Sequence, residues 1–144
     1  MPTLEHCNIR TFDLEATVRF YEEVIGLRGG PVPGSPGRGA WLYDEGGVPV
    51  IHLISLDPDR REEALAEIGG RLGELAGKLD PKTMQGTGMI DHVAFRCEDY
   101  DMMLARIEAR GLPCRCFAIP SHDLRQIFLN DPNGVTLELN FRGG

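Results

Sequence analysis

The sequence predicts an α+β protein in which one arrangement of strands and a helix occurs twice. Residues 4–10 and 90–96 alternate polar and apolar side chains with the period of two that is typical of a β-strand. Each run has a histidine at its third position, His6 in the first and His92 in the second. Each run also leads into a helix-like segment that closes on Gly-Leu. We therefore expect each half to be a β-α unit completed by two or three further strands.

A second pair of residues completes the repeat. His52 lies in the apolar run 50–54, and Glu138 lies in the similar run 135–140. The interval from His6 to His52 is 46 residues, and the interval from His92 to Glu138 is the same. The second pair follows the first at a distance of 86 residues. The four residues are therefore two copies of one arrangement.

The composition is that of an ordinary globular protein. Of the 144 residues, 42% are hydrophobic and 26% are charged, and the formal net charge is −7 with a pI near 5.0. This acidic balance argues against binding to a nucleic-acid backbone. No apolar run approaches the roughly 20 residues that cross a membrane, and the N-terminus lacks the features of a signal peptide. We expect a cytoplasmic protein with reduced cysteines and no membrane or nucleic-acid partner.

The first half is expected to contain a helix and a hairpin separated by a long loop. An N-cap within 11–13 precedes an amphipathic helix over 14–25, which ends at Gly26. The Gly- and Pro-rich segment 29–39 has no periodicity and is predicted to be a loop with the length of a functional lid. A hairpin over 40–54 closes this half.

The second half is expected to follow a helical linker. We predict a first module over 1–56, a linker over 57–87 that several glycines weaken, and a second module over 88–144, together in one structural domain. In the second module a helix capped by Asp99 precedes a strand over 114–118 and a final hairpin across an Asn-Gly turn. The side chains expected on the buried side of this helix are Met102 or Met103, Leu104, Ile107 and Ala109.

The four cysteines do not have the spacing of a zinc site. Cys114 and Cys116 are separated by one residue, and alternation places both on one strand face. Cys7 and Cys97 stand near the repeated histidines but on the opposite strand face. We expect all four to be free thiols that act as small buried apolar side chains.

Three imidazoles and one carboxylate at repeated positions predict a metal site. His6, His52, His92 and Glu138 together suit a borderline divalent ion such as Zn²⁺, Fe²⁺, Mn²⁺, Ni²⁺ or Co²⁺. A lone strand histidine is usually a structural or surface group, and Glu138 alone would be an ordinary surface carboxylate. Because three of the four histidines in the chain fall in the repeated register, the metal site is the favoured interpretation.

With these motifs the chain resembles the vicinal oxygen chelate superfamily, which includes glyoxalase I, fosfomycin-resistance enzymes, bleomycin-binding proteins and extradiol dioxygenases. The matching segments are the His6 strand, 19–27, 91–95 and 128–139, and the similarity covers nearly the whole chain apart from 57–84. The resemblance implies two paired βαβββ modules that form a cup-shaped mixed sheet, the glyoxalase/dioxygenase fold. It also implies one divalent metal ion at the centre of the cup, a small-molecule substrate and a homodimer.

The resemblance further implies roles for the repeated residues. In glyoxalase-like members the first-strand and late-strand residues bind the metal, which by this match makes His6, His52, His92 and Glu138 the ligands. His52 departs from the pattern because glyoxalase I has a glutamate there. The implied reaction is a lyase or isomerase reaction on vicinal oxygens through a metal-stabilised enediolate, with Glu138 as the catalytic base and His52 as a possible second base.

Two other functions remain open. An extradiol dioxygenase would use His6 or His92 with Glu138 to hold Fe²⁺, although His52 would then occupy a position that O₂ chemistry needs. His122 is a candidate acid–base residue near such a site, or simply an exposed loop histidine. The third possibility is a drug-resistance protein that binds a small molecule without turnover.

Alternation also predicts the residues that face a substrate. Arg10 and Arg96 are suited to hold a substrate carboxylate, although both would also be ordinary as solvated surface arginines. The complete set of predicted substrate-facing residues is Asn8, Arg10, Trp41 (or its neighbour Leu42), Arg96, Gln126, Phe128 and Asn140.

Overall fold

The chain forms two compact units, Met1–Met84 and Gln85–Gly144, each described here by itself. A computed structural model describes residues 4–33, 38–57 and 92–143, together with positions 59, 62, 63, 66, 70, 86 and 90. Most of the predicted linker over 57–87 lies outside the described residues, so the predicted module boundaries stay predictions.

The first unit is a four-stranded mixed sheet with one helix. Asp13 caps the helix by accepting a hydrogen bond from the Ala16 backbone N–H at 2.9 Å, and the helix continues into a π-helical turn that ends at Gly26, whose φ of 93° favours glycine. The elements are β1 (Cys7–Thr11), α1 (Leu14–Phe20), the π-helical turn (Tyr21–Ile25), β2 (Arg28–Pro31), β3 (Gly39–Tyr43) and β4 (Pro49–Ser55). The strand order is β1-β4-β3-β2, with β1 parallel to β4.

The second unit repeats this topology. Its elements are β5 (Val93–Cys97), α2 (Tyr100–Ala109), β6 (Cys114–Ile119), a 3₁₀ turn (Pro120–His122), β7 (Leu124–Asn130) and β8 (Thr136–Arg142). Asp99 caps α2 by accepting a hydrogen bond from the Met102 backbone N–H at 3.0 Å. The strand order is β5-β8-β7-β6, with β5 parallel to β8 and the other pairs antiparallel.

The predicted α+β class and the two βαβββ modules are confirmed. Each module has its own four-stranded sheet, and the two sheets have the same strand order. The parallel pair in each sheet joins the first and last strands of the module, because the helix carries the chain across the sheet.

Alternation along the last strand of each module separates a buried face from a polar face. In β4, Ile51 and Leu53 are almost completely buried, and in β8, Leu137 and Leu139 are completely buried. In the first unit α1 packs against β3 and β4. Burying each such side chain contributes roughly 1.5–3 kcal/mol, so this face fixes which residues point the other way.

The predictions of a loop over all of 29–39 and of a buried Ala109 were wrong. The segment 29–39 was predicted to be loop throughout, but Gly29 to Pro31 belong to β2, where they pair with β3. Pro31 ends this edge strand, where the lack of a backbone N–H has little cost in free energy. On α2 the buried residues are Met103 and Ile107, whereas Met102 is 52% exposed and Ala109 is also exposed.

The cysteines are free, as expected, but they are not all buried. Cys116 is exposed on the edge strand β6, and the other three are partly buried. Burial raises the pKa of the Cys97 thiol to about 11. That thiol is therefore protonated at neutral pH, in keeping with an apolar role.

The turn between β7 and β8 depends on one buried carboxylate. Asp131 is 5% exposed and accepts hydrogen bonds from the backbone N–H groups of Asn133 and Val135, both at 2.8 Å. Asp44 accepts a similar bond from the Val48 N–H in the β3–β4 turn, but at a more exposed position.

We predict that Asp131→Ala lowers the free energy of unfolding by about 2 kcal/mol, because it leaves buried donors unpaired. The matched change Asp44→Ala should cost less than about 1 kcal/mol, because water replaces the lost acceptor. Chemical denaturation of the two variants measures both values. Equal losses would contradict the role assigned to burial at Asp131.

Candidate functional site

The two units place their repeated residues in the same register. In the first unit His52 lies opposite Asn8, so His6 is two residues upstream of the partner of His52. In the second unit Glu138 lies opposite Ala94, so His92 is two residues upstream of the partner of Glu138. Because residues two apart on a strand share a face, each upstream histidine projects beside the late-strand residue of its own unit.

In the first unit the two histidines form part of a stack of three rings. The rings of His6 and His52 lie 3.8 Å apart, inclined at 15°. The Trp41 indole covers the other side of His52 at 4.3 Å and 4°. The Nε2 atom of His52 is buried and has no hydrogen-bond partner among the described residues. An unpaired buried nitrogen is costly, so a ligand at this atom would stabilise the arrangement.

The surroundings of His52 favour its neutral form. Desolvation lowers the pKa of His52 below its ordinary value of 6.5, and the charge of a protonated His6 lowers it further, while Glu5 opposes both effects. A neutral imidazole has a free lone pair, which is the form that binds a metal ion.

In the second unit a histidine and a carboxylate are in direct contact. His92 Nε2 lies 3.1 Å from Glu138 Oε2, and the Glu138 side chain is only 13% exposed. Two amides hold the other carboxylate oxygen: the Nε2 of Gln126 donates to Oε1 at 3.0 Å, and the Nδ2 of Asn140 donates to it at 2.6 Å. Gln126 also donates to the Asn140 side-chain oxygen at 3.0 Å. The Glu138 carboxylate is therefore oriented by a closed polar network.

The donor chemistry of the two pairs fits a borderline divalent ion. Imidazole nitrogens and a carboxylate bind such ions at about 2.0–2.2 Å. The unpaired Nε2 of His52 is available as a ligand. The stacked ring of His6 does not fit as it stands, because a ligating imidazole points its lone pair at the metal in the ring plane, so His6 must turn out of the stack. Within neither unit do the described residues gather three or more His, Cys, Asp or Glu side chains into a metal-binding group.

The predicted substrate-facing residues lie on the same sheet faces as the two pairs. Asn8 and Trp41 flank His52 across the first sheet, and Arg10 follows Asn8 on the same strand face. In the second sheet Phe128 lies opposite Glu138, and Arg96 lies opposite Asn140. The structure thus groups these residues with the ligand pairs, while their contact with a substrate stays a prediction.

His122 is placed away from the second pair. It ends the 3₁₀ turn between β6 and β7, is exposed, and its Nδ1 lies 2.9 Å from the Ser121 hydroxyl. Phe128, opposite Glu138, is four residues further along β7 than Leu124, which corresponds to about 13 Å of strand. The structure does not bring His122 to Glu138 within this unit, and its acid–base role stays a prediction.

Sequence reasoning overlooked two residues on β6. Arg115 lies opposite Phe128, and Phe117 lies opposite Gln126. Both therefore share the face of Glu138. The signal was present, because Arg115 and Phe117 alternate with the two cysteines, but it acquires meaning only once the pairing register is known.

Comparison with known proteins identifies the family and the fold. The family model described as "Glyoxalase/Bleomycin resistance protein/Dioxygenase superfamily" matches residues 3–139. A search of curated protein sequences gave no significant match.

Among the residues that the structure describes, no helix is both long and apolar enough to span a membrane.

Several solved structures share the fold at low sequence identity. The fosfomycin resistance protein FosX from Listeria monocytogenes is 16% identical, with 99% of this chain and 95% of that chain covered and a TM-score of 0.63. A glyoxalase/dioxygenase from Nostoc punctiforme is also 16% identical, with 99% and 92% covered and a TM-score of 0.65. The antibiotic-binding protein TnmS3 from Streptomyces sp. CB03234 is 20% identical, with 99% and 98% covered and a TM-score of 0.61.

We predict that His52 titrates below 6.5 in the metal-free protein. Because its folded-state pKa is depressed relative to the unfolded chain, its contribution to stability is lost as the pH falls from about 6.5 through the folded pKa. Trp41→Ala, which admits water to the ring, should move this pKa back toward 6.5. NMR of the imidazole protons, assigned with single histidine variants, measures it. A pKa at or above 6.5 would contradict the desolvated site.

Proposed function

Because this chain belongs to the Glyoxalase/Bleomycin resistance protein/Dioxygenase superfamily, we propose that it is a metal-dependent enzyme of the glyoxalase type. The proposed substrate is a small molecule with two vicinal oxygens, and the proposed reaction is a lyase or isomerase reaction. The observation that supports this most directly is the His92–Glu138 contact, which has a counterpart in His6 and His52 at the same register of the other unit.

The proposed metal ligands are His6, His52, His92 and Glu138. Three imidazoles and one carboxylate suit Zn²⁺, Ni²⁺, Fe²⁺, Mn²⁺ or Co²⁺. In this proposal the buried Nε2 of His52, which lacks a hydrogen-bond partner among the described residues, would bind the ion. The His6 ring would turn out of its stack on the His52 ring. A bound ion would polarise the vicinal oxygens of the substrate and stabilise the negative charge that develops on them.

Glu138 is the proposed catalytic base. The carboxylate takes the proton from the carbon that bears the substrate hydroxyl and returns it to the neighbouring carbonyl carbon, while the hydroxyl proton passes to the oxygen of that carbon, so the isomerisation needs no other reactant. Gln126 and Asn140 hold Oε1, and the two donated hydrogen bonds keep the carboxylate in one orientation. These amides are proposed to position the base rather than to react.

His52 limits the reaction to a single carboxylate base. Its neutral imidazole is the group of the first unit that is proposed to accept a second proton, as an epimerase-type inversion requires. Glu138 is therefore expected to matter more for turnover than His52 does.

We predict that Glu138→Gln lowers kcat on a confirmed substrate at least about 100-fold, because the amide cannot take up the proton. His52→Ala should leave residual turnover, measured with added metal in excess. Glu45→Gln removes the same charge at an exposed turn and should leave kcat unchanged. If Glu138→Gln and His52→Ala both retain the wild-type rate, the assignment of the base is wrong.

An Fe²⁺ extradiol dioxygenase is the second candidate. The adjacent His92 and Glu138 supply two members of a 2-His-1-carboxylate triad, and a histidine of the first unit would supply the third. Oxygen uptake with catechols after anaerobic Fe²⁺ loading distinguishes it from the isomerase proposal. Oxygen uptake that depends on Glu138 would support the dioxygenase and overturn the isomerase proposal.

A binding protein without turnover is the third candidate. Its support is the fold shared with the antibiotic-binding protein TnmS3. Such a protein would bind its ligand with equal affinity in the presence of metal or of a chelator.

As part of the main proposal, we also infer a cytoplasmic homodimer.

A further inference from the structure

Eight residues on one face of the second sheet form two rows across its four strands. The pairing register places Ala94, Glu138, Phe128 and Arg115 in one row. The second row contains Arg96, Asn140, Gln126 and Phe117. The polar network around Glu138 occupies the two central strands β8 and β7, while the aromatic residues occupy β7 and the edge strand β6.

A chain of aromatic contacts leads from His92 to the edge strand β6. The His92 and Phe128 rings meet edge to face at 5.9 Å and 89°. Phe128 meets Phe117 in the same way at 5.7 Å and 85°. Phe117 nevertheless remains 46% exposed. An exposed aromatic that continues a partly buried aromatic surface beside a reactive pair is suited to cover an apolar part of a ligand.

A cationic group stands at the end of this aromatic strip. The Arg115 guanidinium lies 5.6 Å from the centre of the Phe117 ring, a contact that limits its motion. None of the ion pairs among the described residues involves Arg115. Arg115 is two strands away from Glu138, or about 10 Å at the usual strand spacing. The guanidinium is therefore available to an anion on the β6 side of that carboxylate.

We infer that Phe128, Phe117 and Arg115 form a subsite that selects the substrate. The substrate class is a planar apolar group with vicinal oxygens at one end and an anionic group at the other. The oxygens lie at the His92–Glu138 pair, the planar group covers Phe128 and Phe117, and Arg115 binds the anion. This inference rests on the proposed function, because it takes the vicinal oxygens to bind at that pair.

The test compares two ligands that share a catechol and differ in whether the other end carries a charge. Dihydrocaffeate has a catechol at one end and a carboxylate at the other, and its methyl ester lacks the charge. Calorimetric titration of the Zn²⁺-loaded protein with each ligand, without oxygen, gives both dissociation constants. We expect the acid to bind at least about fivefold more tightly than the ester, as an ion pair at a partly ordered arginine allows.

Variants assign the effect to the subsite. Arg115→Gln should bring the ratio of the two constants to about one, and Phe117→Ala should weaken both ligands about tenfold. Phe117→Leu keeps most of the apolar area and should weaken them less. Arg19→Gln removes an exposed positive charge on α1, and Met102→Ala removes an exposed apolar side chain on α2, so both should bind as the wild type does.

The outcomes separate this inference from the proposed function. Equal affinities for acid and ester, or a preference that survives Arg115→Gln, would overturn the subsite while leaving the metal centre intact. Failure to bind either ligand despite bound Zn²⁺ would also overturn it. Failure to bind Zn²⁺, measured separately by equilibrium dialysis, would instead contradict the proposed function, and the ratio of the two constants would still decide the subsite.

Discussion

The parallel pairing of the first and last strands of each module is the constraint on which the site depends. A parallel register fixes which residue of the first strand stands beside His52 or Glu138. A slip of one residue would turn every side chain of the strand to the other face. The buried neighbours of these residues, Ile51 and Leu53 or Leu137 and Leu139, oppose such a slip because it would expose them to water.

The same backbone position carries different chemistry in the two modules. Around Glu138 the neighbours are amides that donate hydrogen bonds to a carboxylate. Around His52 the neighbours are aromatic rings that exclude water and favour a neutral imidazole. The duplication therefore preserves the register of a pair, while one copy is suited to hold charge and the other to supply a neutral ligand. This asymmetry is the physical basis for assigning the base to Glu138.

Residue patterns predicted the two modules because strong alternation and equal spacing are local properties of the chain. They did not predict β2, because Gly29, Gly30 and Pro31 have low strand propensity and join the sheet only through their pairing with β3. The contact between His92 and Glu138 followed from the spacing, whereas the stacking of Trp41 on His52 required the register between β3 and β4. Arg115 and Phe117 were overlooked for the same reason, since cross-strand neighbours are not visible in the order of residues.

We propose that His6, His52, His92 and Glu138 bind a single metal ion. The decisive measurement is the metal stoichiometry and affinity of the chain and of the single variants His6→Ala, His52→Ala, His92→Ala and Glu138→Gln. We predict one tightly bound ion per chain and a loss of affinity of at least about tenfold in each variant, because every ligand contributes to the same ion. Two independent ions, or an affinity that depends on the residues of only one module, would contradict it.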